Sequence, residues 1–229
     1  MSLKATVFTI FPEIFPGFLE YSLTGKALKE KLWELDVVNI RDYAFDKHGS
    51  VDDTPCGGGA GMIMRADVLG NAIDHHYTGG RIIYMSPKGK PLTQSMVREL
   101  GRAENLTIIC GRFEGIDERI IEEYNIEEIS IGDYILTGGE QAAMIVLDAV
   151  VRLLPGVLGN SQSIESESFE TGLLEYPQYT RPVEWRGRRV PDILMSGHHE
   201  NIAKWQKEQA LQITKERRPD LLEKMLDSK

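Results

Sequence analysis

The chain is expected to fold as an α/β protein, a mainly parallel sheet flanked by helices, with a small helical domain after it. Three features carry that expectation. β-Branched runs alternate with helix-forming stretches up to about residue 155, an order that buries a parallel sheet between helical layers. A serine-rich, acidic stretch poor in large apolar side chains then breaks the pattern over 159–172. The remainder of the chain, to residue 229, consists mostly of helix formers.

From the N-terminus, ATVFTIF (5–11) is a first strand, and a helix near 24–34 leads to a second, DVVNIRDY (36–43). A helix over 66–77 precedes RIIYMS (81–86), and another over 93–104 opens with Pro91 and a Thr93 cap, whose hydroxyl can accept from an otherwise unpaired N–H. LTIICG (106–111), a helix over 115–124 and EEISIGDYIL (127–136) complete the alternation. EQAAMIVLDAVVRLL (140–154) is apolar around nearly its whole circumference, so it is either wholly buried or part of a subunit interface. Pro155 and Gly156 end it. On a helix starting near Ser196, Ile202, Trp205 and Ile213 share one face, and Lys204, Lys207, Lys215 and Arg218 share the opposite one. The resulting division is a domain over 1–158, a linker over 159–170 and a helical domain over 171–229.

Composition narrows the function. With 229 residues and 41% hydrophobic content the chain can bury a sizeable core. No apolar run approaches a membrane span, and MSLKATVFTIF lacks the order of a signal peptide, so a cytoplasmic protein without membrane association is expected. Cys56 and Cys110 have no ligand or disulfide spacing, the five histidines show no metal pattern, and no metal site is expected from the residues. The net charge of −9 opposes nucleic-acid binding, but it is unevenly spread. Residues 1–175 hold 15 basic and 27 acidic side chains, and residues 176–229 hold 11 and 8, so the tail alone is basic.

Ligands of open α/β sheets bind beyond the carboxyl ends of the strands. Three loops fit: YMSPKGKPL after the strand at 81–86, CGRFEGIDERI after that at 106–111, and SIGDYILTGGE at the end of 127–136. Their glycines and prolines expose backbone, and Met85, Phe113, Ile131 and Leu136 suit a flat aromatic ring better than a polyphosphate. No GxxxxGK[ST], GxGxxG or GxSxG occurs. CGGGAGM (56–62) is a cradle, a hinge or a flexible turn on composition alone. Glu165, Glu167, Glu170 and Glu175 are candidate general bases on a segment that could order over substrate, or solvated linker charges. Arg152 is a candidate cation, or a helix C-terminal charge answering the dipole.

Seven segments, in order along nearly the whole chain, resemble the bacterial tRNA (guanine-N1)-methyltransferases of the TrmD type. They are FPEIFPGFLEYSLTGKA (11–27), NIRDYAFDKHGSVDDTPCGGGAGMIM (39–64), CGRFEGIDERI (110–120), SIGDYILTGGE (130–140), RLLPGVLGN (152–160), SFETGLLEYPQYTRP (168–182) and VPDILMSGHHENIAKWQ (190–206). The resemblance implies a SPOUT fold whose first domain ties a C-terminal trefoil knot around S-adenosylmethionine, with a helical tRNA-binding domain after it. It implies an obligate homodimer with shared active sites that methylates N1 of the guanosine 3′ of the anticodon, tRNA position 37, with magnesium as a further requirement.

Carried over by position, it implies that the methyl donor is bound by Met85, Ser86 and Pro87, by Gly111, Arg112, Phe113, Glu114 and Gly115, and by Ser130, Ile131, Gly132, Asp133, Tyr134, Ile135, Leu136, Gly138 and Gly139. Gly57, Gly58 and Gly59 are implied to help receive the target guanosine by close backbone approach, and Arg181 to hold tRNA. Guanine N1 is a poor nucleophile until its proton is removed, so the reaction needs a base and a cation to stabilise charge developing at O6. The resemblance assigns Glu167 as the base, where the family usually has Asp, and Arg152 as the cation. Glu175 also stands for a usual Asp and Phe113 for a usual Tyr. Two other readings remain open from the sequence: a tRNA-binding protein that holds the donor without catalysis, and a nucleotide-dependent α/β enzyme unrelated to RNA.

Overall fold

The computed structural model describes residues 2–159 and 167–227, with the last four of these as backbone. The chain packs as two compact units, Met1–Gly159 and Asn160–Lys229.

The first unit is built on five strands: β1 (Leu3–Thr9), β2 (Trp33–Asn39), β5 (Arg81–Pro91), β6 (Asn105–Cys110) and β7 (Glu127–Ser130). They are all parallel, in the order β2-β1-β6-β5-β7. Side chains alternate across this sheet with period two and build two cores. Leu3, Ala5 and Val7 of β1, with Leu106, Ile108 and Cys110 of β6, face α1 (Ser22–Lys29), α3 (Gln94–Leu100) and α5 (Glu140–Val151). Phe8, Ile82, Tyr84 and Ile109 face the other way, towards α2 (Ala66–His76) and α4 (Glu118–Glu123). A short antiparallel pair, β3 (Asp52–Asp53) and β4 (Ile63–Met64), flanks the glycine-rich stretch.

Each expected strand and helix of the first unit has a counterpart, but bounds shift: β1 lies two residues early, α1 stops at Lys29, and β2 begins at Trp33, inside the helix expected to run to 34, and gives way to a 3-10 turn over Ile40–Tyr43 where strand was expected. Two further shifts fall at the sheet edge. The strand expected over 127–136 stops at Ser130, because Gly132 takes a φ of 148° and the chain turns away. The strand expected over 81–86 runs on to Pro91 by looping out Ser86–Gly89: Met85 and Lys90 both pair with Ile129. Thr93 caps α3 as expected, its hydroxyl accepting from the Met96 N–H at 3.3 Å. Of the two fates open to the apolar helix 140–154, burial takes most of α5: its Val146, Leu147, Val150 and Val151 have no exposed surface.

Most of the expected linker, and with it Glu165, lies outside the described residues. Its described end, 167–170, is a hydrogen-bonded turn, with the Glu170 N–H on the Glu167 carbonyl at 3.3 Å. Among its described residues the second unit carries a two-stranded hairpin, β8 (Glu184–Trp185) with β9 (Arg188–Arg189), and the helices α6 (Asp192–Met195), α7 (His199–Arg217) and α8 (Pro219–Asp227). Residues 168–175 dock on α7: the Leu174 N–H donates to Thr214 Oγ1 at 2.8 Å, and Glu175 N–H to Ser168 Oγ at 2.9 Å. Lys204, Lys207 and Lys215 are exposed, as their shared face requires. Arg218 leaves that stripe to pair doubly with Asp220, at 2.8 and 2.7 Å.

Candidate active site

The carboxyl ends of β5, β6 and β7 open into a cleft of about 240 Å³, at the small end of ligand sites. The three glycine- and proline-rich loops meet there. Each expected donor-binding residue lines it except Asp133, which is exposed beside it. The cleft is also lined by Ile129 and Ala142, which were not expected, and by Tyr84 and Thr137, which lie in two of the expected loops but were not assigned to the donor. Tyr84 could have been found from its place at the exit of the strand, next to Met85.

The glycines have internal reasons to be bare. A Cβ on Gly111 would stand 2.6 Å from the Tyr84 ring, and one on Gly139 would stand 2.8 Å from Cys110 Cα. Close crossing of chain segments fixes both, before any ligand is considered. Packing here raises the pKa of Tyr84 to about 12, chiefly by burial and secondarily by the charge of Glu128. Burial likewise pushes the Cys110 thiol well up, so it is a packing residue.

A buried charge pair holds the loops together. Glu140, the first residue of α5, has no exposed surface. Its Oε1 accepts from Thr9 Oγ1 at 2.8 Å and from Arg112 Nε at 3.2 Å, while Oε2 meets Arg112 Nη2 at 2.9 Å as an ion pair without hydrogen-bond alignment. Arg112 also donates to the Thr137 carbonyl at 3.2 Å and lies over the Phe11 ring at 4.5 Å. The end of β1, the loop after β6 and the start of α5 are thus fastened by one guanidinium. The carboxylate also neutralises the cation at the cleft wall, which leaves the site compatible with a positively charged ligand.

The mouth is apolar and exposed. Phe113, Tyr134, Ile135 and Leu136 are 49%, 54%, 80% and 40% exposed, a clustering of large apolar side chains that a ligand's flat or aliphatic part would cover. The residues therefore fit a donor with an aromatic ring and a cationic centre.

The glycine-rich stretch adjoins this cleft. Glu114 N–H donates to the Met62 carbonyl at 2.9 Å, and Met64 N–H to the Gly115 carbonyl at 2.9 Å, so the stretch ends against a cleft-lining loop. Gly57, Gly58 and Gly59 are exposed with φ of 93°, 82° and 123°. Nothing lies within 4 Å of a Cβ built on Gly57 or Gly58. The visible reason for glycine there is the left-handed backbone, where close approach was expected.

The other expected residues are not among those that line the cleft. Arg152 caps the C-terminus of α5. That helix begins beside Cys110 at the carboxyl edge of the sheet, and three residues past its end Leu154 lines a small hollow with Ser2 and Leu32 at the amino edge. Twelve helical residues span about 18 Å, so Arg152 is remote from the cleft of this chain. Glu167, half-buried, and Arg181, exposed, belong to the second unit. Among the described residues no group of three His, Cys, Asp or Glu side chains could hold a metal ion, and no helix is long and apolar enough to cross a membrane.

Fold and cleft together define an α/β protein with a small-molecule site at the carboxyl edge of a parallel sheet, attached to a helical unit with a basic face. The family described as tRNA (guanine-1)-methyltransferase TrmD matches residues 3–224. Proteins named tRNA (guanine-N(1)-)-methyltransferase are similar throughout: 60% identity over 225 residues in Mesorhizobium japonicum, covering 97% of both chains, and 61% over 226 in Agrobacterium fabrum, covering 98% and 97%. The Brucella ovis protein of that name is 63% identical over 219 residues, covering 96% of this chain and 91% of its own. The chain belongs to the TrmD family of tRNA (guanine-N1)-methyltransferases.

Proposed function

We propose that this protein transfers a methyl group from S-adenosylmethionine to N1 of the tRNA guanosine immediately 3′ of the anticodon, as a homodimer in the cytoplasm. The observation that carries the reading is the cleft at the ends of β5, β6 and β7, apolar at its mouth and neutralised at its wall, in a chain of this family. The crossing of Gly139 against Cys110 supports a SPOUT-type trefoil knot around it. Met85, Ser86 and Pro87, the 111–115 loop, and Ser130–Leu136 with Gly138 and Gly139 would hold the donor, with Asp133 at the rim. When bound, the donor supplies an electrophilic methyl on a sulfonium sulfur.

The chain's own residues prepare the nucleophile. Glu167 accepts the N1 proton, which frees the nitrogen lone pair and drives negative charge towards O6. Arg152 stabilises that charge. Gly57, Gly58 and Gly59 flank the entry of the guanosine, and Arg181 with the lysine face of α7 holds the tRNA backbone. The remoteness of Arg152 supports the shared site: a second copy of the chain supplies Arg152 and Glu167 to each cleft. Phe18, Tyr21, Leu23 and Ile145, exposed beside the start and middle of α5, offer an apolar surface for that pairing.

The test separates base from binding. Glu167→Ala is expected to abolish methyl transfer while donor affinity stays within about twofold, and Glu167→Asp to retain turnover. Unchanged transfer by Glu167→Ala would remove the base, and donor binding without transfer by the parent protein would favour a binding role alone.

A further inference from the structure

The β8–β9 hairpin is an arginine-rich ribbon with a tryptophan in solvent. Glu184 pairs with Arg189 and Trp185 with Arg188, which leaves Arg186 and Gly187 as a two-residue turn with φ of 51° and 75°. Such turns need left-handed backbone at both central positions, and asparagine or glycine ordinarily supplies it. Here an arginine does so, and its guanidinium lies over the Trp185 ring, 4.8 Å from the centroid. With one face taken by that cation, Trp185 is still 58% exposed, whereas Trp33 is fully buried and Trp205 half-buried.

The strand period places Trp185 and Arg188 on one face of the ribbon, and Glu184 and Arg189 on the other, where they pair at 3.8 Å. Between 181 and 189 four arginines face a single carboxylate, in a chain whose net charge is −9. Cations alone would serve any polyanion. A guanidinium-backed indole interleaved with them suits a partner that alternates phosphate with flat rings, which an acidic protein surface does not.

We propose that this hairpin is a base-stacking contact for RNA, in which Trp185, backed by Arg186, receives an unpaired nucleobase of the tRNA while Arg188 holds a neighbouring phosphate. The inference rests on the proposed tRNA-methyltransferase function and adds a stacking contact to its electrostatic grip.

The experiment uses the full-length protein with tRNA transcript at several salt concentrations, and with a single-stranded heptaribonucleotide or a blunt RNA duplex. Trp185→Ala is expected to weaken tRNA binding about tenfold with an unchanged salt slope, and Trp185→Phe to restore most of the loss. Arg188→Ala is expected to lower the salt slope by about one. The single strand should quench tryptophan fluorescence more than the duplex does, and that quench should vanish in Trp185→Phe. Parent-like tRNA affinity in Trp185→Ala, or a quench that survives Trp185→Phe, overturns the proposal. The two readings fail separately: absence of methyl transfer by the parent protein defeats the enzymatic one, while the stacking contact is decided by binding and quenching.

Discussion

Tyr84 shows how much one side chain under the cleft is constrained. Its ring fills the space that bare Gly111 and Gly115 leave, and burial raises its pKa to about 12. An acid whose pKa is higher folded than unfolded keeps its proton in the native chain. Its contribution is therefore intact below about pH 10, the unfolded value, and is lost as pH rises from there towards 12. Denaturant unfolding at pH 10 and 11 should show the parent losing about 1 kcal/mol more than Tyr84→Phe. Equal losses would mean that the hydroxyl is not held as the packing implies. Tyr124, also raised to about 12, is common to both proteins and cancels. The sequence made the glycines of the loops legible as special but not their reasons. Composition cannot distinguish Gly57, which needs a left-handed φ, from Gly139, which needs absence of a Cβ against Cys110.

Among elements, α5 links core and site, because its apolar faces fill the sheet while its first residue fastens the loops. Glu140→Ala would strand the Arg112 guanidinium, whose side chain is 16% exposed, without its counter-charge. Loss of about 3 kcal/mol is expected from the denaturation midpoint, together with weaker donor binding, and a variant replacing both residues by neutral ones should regain much of that stability. An unchanged midpoint in Glu140→Ala would show that the pair holds nothing together. The strands were readable because β1, β5 and β6 are β-branched apolar runs, buried on both faces of the sheet. Their ends were less so: SIGDYIL keeps a strand-like composition past Ser130, and only the turn at Gly132 reveals that it has become cleft wall. Glu140 itself escaped sequence reading, since a lone acid at a helix start is ordinarily a solvated charge.

At the scale of the molecule, the α/β order and the helical tail were legible in the sequence, while the proposed knot and the proposed pairing of subunits entered only through resemblance. Crossings of chain segments leave no periodicity, and Arg152 reads as an ordinary helix-end cation until its distance from the cleft is known. If each cleft takes its base and cation from a second copy, two inactive variants should complement. A copy with a filled cleft, Leu136→Trp, co-expressed with Glu167→Ala, should regain methyl transfer that neither shows alone; no recovery would place each site within one chain. The central claim is tested most directly by offering labelled S-adenosylmethionine, with magnesium, to two tRNA transcripts that carry guanosine or adenosine immediately after the anticodon. Label entering the guanosine transcript alone, at N1, is the predicted result, and equal labelling of both transcripts, or of neither, would contradict it.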